Sequence, residues 1–170
     1  PLSNPSQHTT TRHRGCDGRD GGLGTAAAPV GPWRVGAIAA VNAIGDIRDP
    51  DTGAPIAVAR GTGTWARPAP PAGGEAPGGE SVGENTTLVV VATDAPFGRD
   101  QLCHLARMAQ DGLALAIRPA HTPFDGDVVF AVSVGDAAGS RADDLALAEV
   151  GDAAIGVVAE AIVRGVRAAE

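Results

Sequence analysis

The sequence predicts an α/β fold, and three features carry that prediction. Residues 34–42 and 86–94 are short apolar runs, rich in β-branched residues in the second case, and are typical of buried strands. Between residues 99 and 116, leucine and alanine recur at three- and four-residue steps, which indicates an amphipathic helix that ends before Pro119. From residue 86 onward strands and helices alternate, so this half reads β-α-β-α.

The remaining elements follow from the same patterns. Residues 54–60 predict a strand that turn residues join to strand 34–42 as a hairpin. Residues 127–135 predict another buried strand, and residues 143–168 a final helix that glycines weaken and that Ser140 or Asp143 caps.

A glycine-rich run, residues 21–27, contains the spacing G-x-G-x-x-A of a dinucleotide-binding loop. That motif needs a strand before it and a helix after it. A polar arm precedes this run and prolines follow it, so we interpret it as a turn.

Composition bounds the function. The chain has 170 residues, 44% of them hydrophobic, and a net charge of -7, which argues against nucleic acid as a partner because phosphate binding needs a basic face. No apolar run is long enough to span a membrane. All 13 basic residues are arginine, which excludes any mechanism that needs a lysine from this chain. Without a recognisable signal peptide, we expect a cytoplasmic protein whose Cys16 and Cys103 are reduced, with Cys103 buried by its helix.

Two segments differ from the rest in composition. Residues 1–19 are polar and aperiodic, and we expect a disordered arm there, whether native or not. Residues 61–84 are rich in Gly, Pro and Glu, which predicts a flexible linker. The predicted organisation is therefore an arm 1–19, a segment 20–85 that ends in the linker, and a segment 86–170.

The strongest candidate for chemistry lies where the linker meets a buried strand. Cleavage between Asn85 and Thr86 would make Thr86 a new N-terminus, and an N-terminal threonine combines a nucleophilic hydroxyl with its own amine as base. A free α-amine has a pKa near 8, which suits base catalysis at neutral pH. The alternative is an ordinary threonine pair that opens a strand.

Three further side chains could serve such a nucleophile. Asp125 and Asp127 flank a glycine just before strand 127–135, and they are either turn residues or a pair that orients and polarises the threonine. Asn42 ends the first predicted strand and could donate its amide to an oxyanion. His121, just before the acidic turn, is either a loop hydrogen-bonding residue or an acid–base catalyst.

These residues resemble a known family. The stretches 84–97 and 118–135, with the helix between them, are similar to the C-terminal half of P1-family peptidases, the DmpA-type aminopeptidases related to β-aminopeptidases and nylon-oligomer hydrolases. GGLGTA at 21–26 and residues 35–53 resemble the segment that precedes it in the family. The resemblance covers about residues 20–60 and 84–168.

The resemblance implies an αββα sandwich of the DmpA/ornithine-acetyltransferase-like type and a precursor that cleaves itself before its nucleophile. Carried onto this chain, it makes Thr86 the nucleophile, places the cut after Asn85, and assigns Asp125, Asp127 and Asn42 to the site. It implies hydrolysis of a small peptide or amide without a cofactor or metal, two cleaved fragments that stay together, and a homo-oligomer.

This chain departs from the family pattern in two ways. Asp20 stands where members usually carry lysine, and members extend further at the N-terminus, so the chain resembles a truncated or frameshifted member. Two alternatives stay open at this point. One is an acyltransferase of the ornithine-acetyltransferase-like type, and the other is an inactive truncated remnant.

Overall fold

The computed structural model describes residues 13–14, 20–58, 86–123, 125–135 and 142–169. It shows a mixed α/β fold, as the sequence predicts. Most of the predicted arm and the whole predicted linker lie outside the described residues, as does Asn85.

Helix α1, Arg99–Ala116, has the bounds that its periodicity predicts. Its buried residues form one stripe that includes Leu105, Ala109 and Leu113. At its start, the Gly98 N–H donates to the side chain of Gln101 over 3.0 Å. The expectation that this helix buries Cys103 is wrong: the residue falls outside the stripe and is exposed.

Helix α2, Asp144–Arg167, runs without a break through its glycines. Of the two residues predicted to cap it, Asp143 does so, because its carboxylate accepts from the Ala146 N–H over 2.9 Å. Gly165 lies where α2 meets a strand, and a side chain there would collide with the backbone of Gly24. Gly165 therefore allows close packing of α2 against the sheet, in addition to weakening the isolated helix.

The main sheet has five strands in the order β1-β2-β3-β6-β8. The pair β6 and β8 is parallel and the other pairs are antiparallel. The bounds are β1 His13–Arg14, β2 Asp20–Val30, β3 Trp33–Val41, β6 Leu88–Thr93 and β8 Val128–Ser133.

A second, three-stranded sheet has the order β5-β4-β7. Its strands are β4 Asp46–Arg48, β5 Pro55–Ala57 and β7 Ile117–Arg118. The predicted strand 54–60 is therefore shorter where it is described, and its partner is β4 rather than the first predicted strand. The predicted hairpin was wrong because Asp46–Arg48, which lies between the two predicted strands, is itself a strand and pairs with β5.

The prediction of a turn at residues 21–27 is also wrong, since these residues belong to β2, an 11-residue strand. Gly31, with a φ of +55°, makes the turn that joins β2 to β3. A Cβ at Gly24 would lie within 2.7 Å of backbone atoms of Gly165, so glycine lets β2 approach α2 directly. The rejection of a dinucleotide loop stands, because a strand runs through the motif where a helix would have to begin.

The two faces of the main sheet differ. Helices α1 and α2 cover one face, where the core residues include Val35, Ala39, Val89 and Val129. The opposite face, which we call the open face, is apolar yet exposed. Its large side chains are 37–76% exposed: Leu23, Ile38, Leu88, Val90, Phe130, Val132 and Val134.

Neither α1 nor α2 is both long and apolar enough to cross a bilayer, and these are the helices of the described residues.

Candidate active site

Strand register places two of the candidate residues, Thr86 and Asn42, at one end of the open face. Ala40 pairs with Leu88, and Leu88 pairs with Val128. Thr86 lies two residues before Leu88. Continued by two residues, the antiparallel register with β3 puts Thr86 opposite Asn42, and the parallel register with β8 puts Thr86 opposite Gly126. Because residues two apart in a strand share a face, Thr86 lies on the same side of the sheet as Leu88.

Gly126 is the backbone neighbour of the Thr86 hydroxyl. A Cβ added at this glycine would lie 2.5 Å from Thr86 Oγ1. Any side chain at position 126 would therefore push the Thr86 hydroxyl aside. Glycine in the Asp-Gly-Asp turn leaves room for that hydroxyl. Thr86 itself is half-buried, so its hydroxyl stays reachable from the open face.

Asp127 and Thr87 meet at the same ends of β6 and β8, on the side of the sheet that the helices cover. The Thr87 N–H donates to Asp127 Oδ1 over 2.6 Å. The Thr87 carbonyl accepts from the Val128 N–H over 3.1 Å, which continues the parallel ladder beyond its last paired residues. The carboxylate of Asp127 is thus tied to the residue that follows Thr86.

Burial raises the pKa of Asp127 above its ordinary value, because desolvation disfavours the charged carboxylate. The Thr87 N–H opposes that rise in the pKa of Asp127, the nearby Asp125 adds to it, and His121 opposes it. A half-buried carboxyl with a raised pKa beside Thr86 is suited to accept and return a proton.

Asp125 has its own partner. Its Oδ2 accepts from both the N–H and the hydroxyl of Thr122, over 3.0 Å and 2.9 Å. Its N–H donates to the Thr122 carbonyl over 3.1 Å, which closes a small turn. In this arrangement Asp125 acts on Asp127 through its charge. His121, which precedes the turn, has a φ of +57° and is exposed.

The structure therefore collects most of the residues that the sequence singled out. Thr86 and Asp127 lie at adjoining strand ends, Asn42 is half-buried and level with Thr86, and Asp125 sits one turn away with its carboxylate on Thr122. Asn85, the residue before the expected cut, lies outside the described residues. Within the described part of the chain, no three or more His, Cys, Asp or Glu side chains cluster as metal ligands would.

Two residues of the site escaped sequence reasoning, Gly126 as a neighbour of Thr86 and Thr87 as the partner of Asp127. Both follow from the parallel pairing of β6 with β8, which sets residue 86 beside 126 and residue 87 beside 127. The adjacent predicted strands and the acidic turn could have indicated this pairing, but their register was not visible in the sequence.

The chain is similar to curated proteins of mycobacteria. An uncharacterized aminopeptidase of Mycobacterium tuberculosis is 44% identical over 124 residues, which are 68% of this chain and 36% of that protein. An uncharacterized aminopeptidase of Mycobacterium leprae is 40% identical over 164 residues, which are 88% of this chain and 45% of that protein. The chain thus spans less than half the length of these curated relatives.

Solved structures show the same architecture. The L-aminopeptidase D-Ala-esterase/amidase of Ochrobactrum anthropi, described as a variant of the Ntn hydrolase fold, superposes with a TM-score of 0.63 at 27% identity over 91% of this chain and 42% of that one. The PH0078 protein of Pyrococcus horikoshii has a TM-score of 0.60 at 21% identity, covering 86% of this chain and 39% of that one, which shows the fold alone.

The family comparison agrees with both. The model of peptidase family S58 matches residues 14–170, nearly the whole chain. This match confirms the resemblance that the motifs at 21–26, 84–97 and 118–135 indicate. The chain belongs to peptidase family S58.

Proposed function

We propose that this protein is an autoprocessing N-terminal-nucleophile aminopeptidase or amidohydrolase that cleaves itself between Asn85 and Thr86 and then uses Thr86 as its nucleophile. One observation carries the proposal: the Thr86 hydroxyl sits at the head of a central strand, against the backbone of Gly126 and reachable from the open face. A substrate carbonyl could approach it from that side.

The comparisons support the same reaction class. The mycobacterial relatives are named aminopeptidases, and the Ochrobactrum anthropi structure is described as a prototype for the serine aminopeptidases. Here the corresponding chemistry would belong to a threonine hydroxyl. We therefore expect a substrate with a free amino terminus, either a short peptide or an amide.

The self-cleavage step moves an acyl group from nitrogen to oxygen. Thr86 Oγ1 attacks the carbonyl carbon of Asn85, the C–N bond between the two residues breaks, and the hydroxyl proton ends on the Thr86 nitrogen. Water then hydrolyses the resulting ester. The products are a carboxylate on Asn85 and a free α-amine on Thr86.

The same hydroxyl then acts on substrate. Thr86 Oγ1 attacks the amide carbonyl while the Thr86 amine takes the hydroxyl proton and passes it to the departing amine. Water attacks the acyl-threonine, which releases the acid and restores the hydroxyl. The Asn42 amide would donate to the oxyanion, and such a donor stabilises the transition state by about 2.7–4 kcal/mol.

The acidic residues would act behind the nucleophile. Asp127, held on the Thr87 N–H, would accept a hydrogen bond from the new α-ammonium of Thr86 and keep it oriented. Asp125 would act through its charge on Asp127. No cofactor or metal enters either step.

The fold explains how two fragments would stay together after cleavage. Strand β3, before the cut, is hydrogen-bonded to β6, after the cut, over six residue pairs from Val35 to Ala40. Helix α2, also after the cut, packs against β2 and β3. Separating the fragments would open the sheet and expose the core between sheet and helices. We also propose a homo-oligomer as the working assembly.

The test is the mass of the purified protein and of its Thr86→Ala variant. We expect the native chain to run as two fragments on a denaturing gel, the second beginning at Thr86 by N-terminal sequencing. The Thr86→Ala variant should remain a single chain and lose at least 10³-fold in hydrolysis of an aminoacyl anilide, since the nucleophile is gone.

A Thr25→Ala variant is the matched control, because Thr25 is an exposed threonine of β2, which β3 separates from β6. It should cleave itself and hydrolyse substrate as the native chain does. A native chain that stays at one mass contradicts self-cleavage, and a Thr86→Ala variant that still yields two fragments contradicts the choice of nucleophile.

A further inference from the structure

Thr87 carries a hydroxyl that the proposed chemistry does not use. The residue has no exposed surface, and its Oγ1 has no hydrogen-bond partner among the described residues. A buried hydroxyl without a partner destabilises the folded state, because the water it gives up is not replaced. Such a group in a folded protein calls for an explanation.

A second buried threonine of the same strand makes the contrast. Thr93 faces the same side of the sheet, six residues on, and its Oγ1 donates to the Arg34 carbonyl over 2.8 Å and accepts from the Ala95 N–H over 3.1 Å. The Thr93 hydroxyl therefore serves the fold. The Thr87 hydroxyl has no such structural use, although valine fills the equivalent positions 89 and 91 between them.

The polar group beside the Thr87 hydroxyl is the carboxyl of Asp127. The Thr87 N–H already holds Asp127 Oδ1. The Thr87 hydroxyl lies near enough to the same carboxyl to lower its pKa, although the contact falls short of ordinary hydrogen-bond geometry. The other charged groups that act on Asp127 are Asp125 and His121, both from the loop before β8.

We propose that Thr87 is a positioning residue for Asp127: rotation of its side chain lets the hydroxyl donate to the carboxylate, so that N–H and O–H of one residue hold Asp127 in place beside Thr86. This inference rests on the proposed function for its consequence in catalysis. Thr87 touches neither substrate nor the reacting atoms. It acts through Asp127.

The expected direction of the effect follows from the charge on Asp127. A hydrogen bond to the ionised form lowers the pKa of a carboxyl, so removing the donor raises it. Burial already raises the pKa of Asp127, and loss of the hydroxyl would raise it further. Asp127 would then be protonated over a wider pH range, and the acidic limb of the activity profile would move to higher pH.

The test compares Thr87→Val, which keeps the shape and removes the hydroxyl, with Thr87→Ser, which keeps a hydroxyl. We expect the Asp127 carboxyl, titrated by carbon NMR, to shift upward by about half a pH unit in Thr87→Val, a threefold change in proton affinity. The Thr87→Ser variant should titrate as the native chain does. The acidic limb of kcat/KM should follow the same order.

Stability separates positioning from packing. Thr87→Val keeps the shape of the side chain in the core, so it should change the melting temperature by about 4 °C or less. Thr93→Val, the matched control, should lower it while leaving the Asp127 titration unchanged. An Asp127 titration that is the same in Thr87→Val and the native chain overturns the inference, even if the melting temperature rises.

The titration is repeated in a Thr86→Ala background, which needs no active enzyme. If Thr87→Val leaves the Asp127 titration unchanged in this background, the role of Thr87 is overturned and the proposed function is not. If the native chain stays uncut, the proposed function is overturned and the role of Thr87 is not. If Thr87→Val does not fold, the same comparison is made with Thr87→Ala, and an upward shift of the Asp127 titration is again the expected result.

Discussion

The two faces of the main sheet are both apolar, yet only one of them is covered. Adjacent residues of β6 show the contrast directly, since Val89 is fully buried under the helices and Val90 is 37% exposed on the open face. A strand that packs on one side only normally alternates apolar and polar residues. The continuous apolar run of β6 is instead typical of a strand that is buried on both faces.

The open face is therefore the part of the main sheet whose apolar pattern predicts burial and whose described surroundings leave it exposed. The helix layer accounts for every second residue of β3, β6 and β8, and the residues between them in β6 and β8 are all apolar. Among the described residues, no helix or strand covers the large apolar side chains of this face. The candidate site lies at the end of that face.

The largest expected effect comes from placing a charge on each face in turn. Val89→Asp buries an unpaired carboxylate in the core and should cost about 4 kcal/mol or more, enough to unfold most of the protein. Val90→Asp should change stability by less than about 1 kcal/mol. Urea unfolding followed by circular dichroism measures both. Equal losses would mean that the open face is covered in solution.

A medium effect is expected where the covered face is tightest. Gly24→Ala puts a Cβ against the backbone of α2 and should destabilise the protein by about 1–3 kcal/mol. Gly156→Ala is the matched control, since its Cβ would meet nothing within 4 Å, and it should stabilise α2 by about 0.5–1 kcal/mol. Thermal unfolding distinguishes the two. A neutral Gly24→Ala would argue against the close approach of β2 to α2.

Substitution of Phe130 should have the smallest effect on stability and a clear effect on the binding of apolar molecules to the open face. This side chain is 57% exposed on the open face, so Phe130→Ser should leave unfolding within about 1 kcal/mol and lower the binding of a hydrophobic fluorescent dye. Leu145→Ser, at an exposed leucine of α2, should lower dye binding much less. Equal decreases in dye binding would show that the open face binds apolar molecules no better than the helix surface does.

The elements that the sequence predicted best are those that local pattern determines. Helix α1 has its predicted bounds because its apolar stripe is periodic and a proline follows, and the capping role of Asp143 follows from its side chain. The strand β2 was missed because glycine and alanine have low strand propensity. Its conformation depends on a close approach to α2 that no local pattern encodes.

The site divides in the same way. Thr86, Asp127 and Asn42 were chosen from residue type, position and the resemblance of their motifs, and their roles stay predictions. The hydrogen bond between the Thr87 N–H and Asp127 depends on a parallel register between strands 40 residues apart. Hydrophobic pattern alone does not set that register when both faces of the strands are apolar.

The alternation of side chains along one strand decides which threonine is available for chemistry. Thr86 and Thr87 are chemically identical and adjacent, but the first hydroxyl points to the open side and the second into the core. Moving the start of β6 by a single residue would exchange them, leaving the Thr86 hydroxyl under the helices and the Thr87 hydroxyl on the open face. A substitution in this segment therefore keeps each remaining side chain on its own side of the sheet, whereas inserting or deleting one residue moves the side chains to the opposite side.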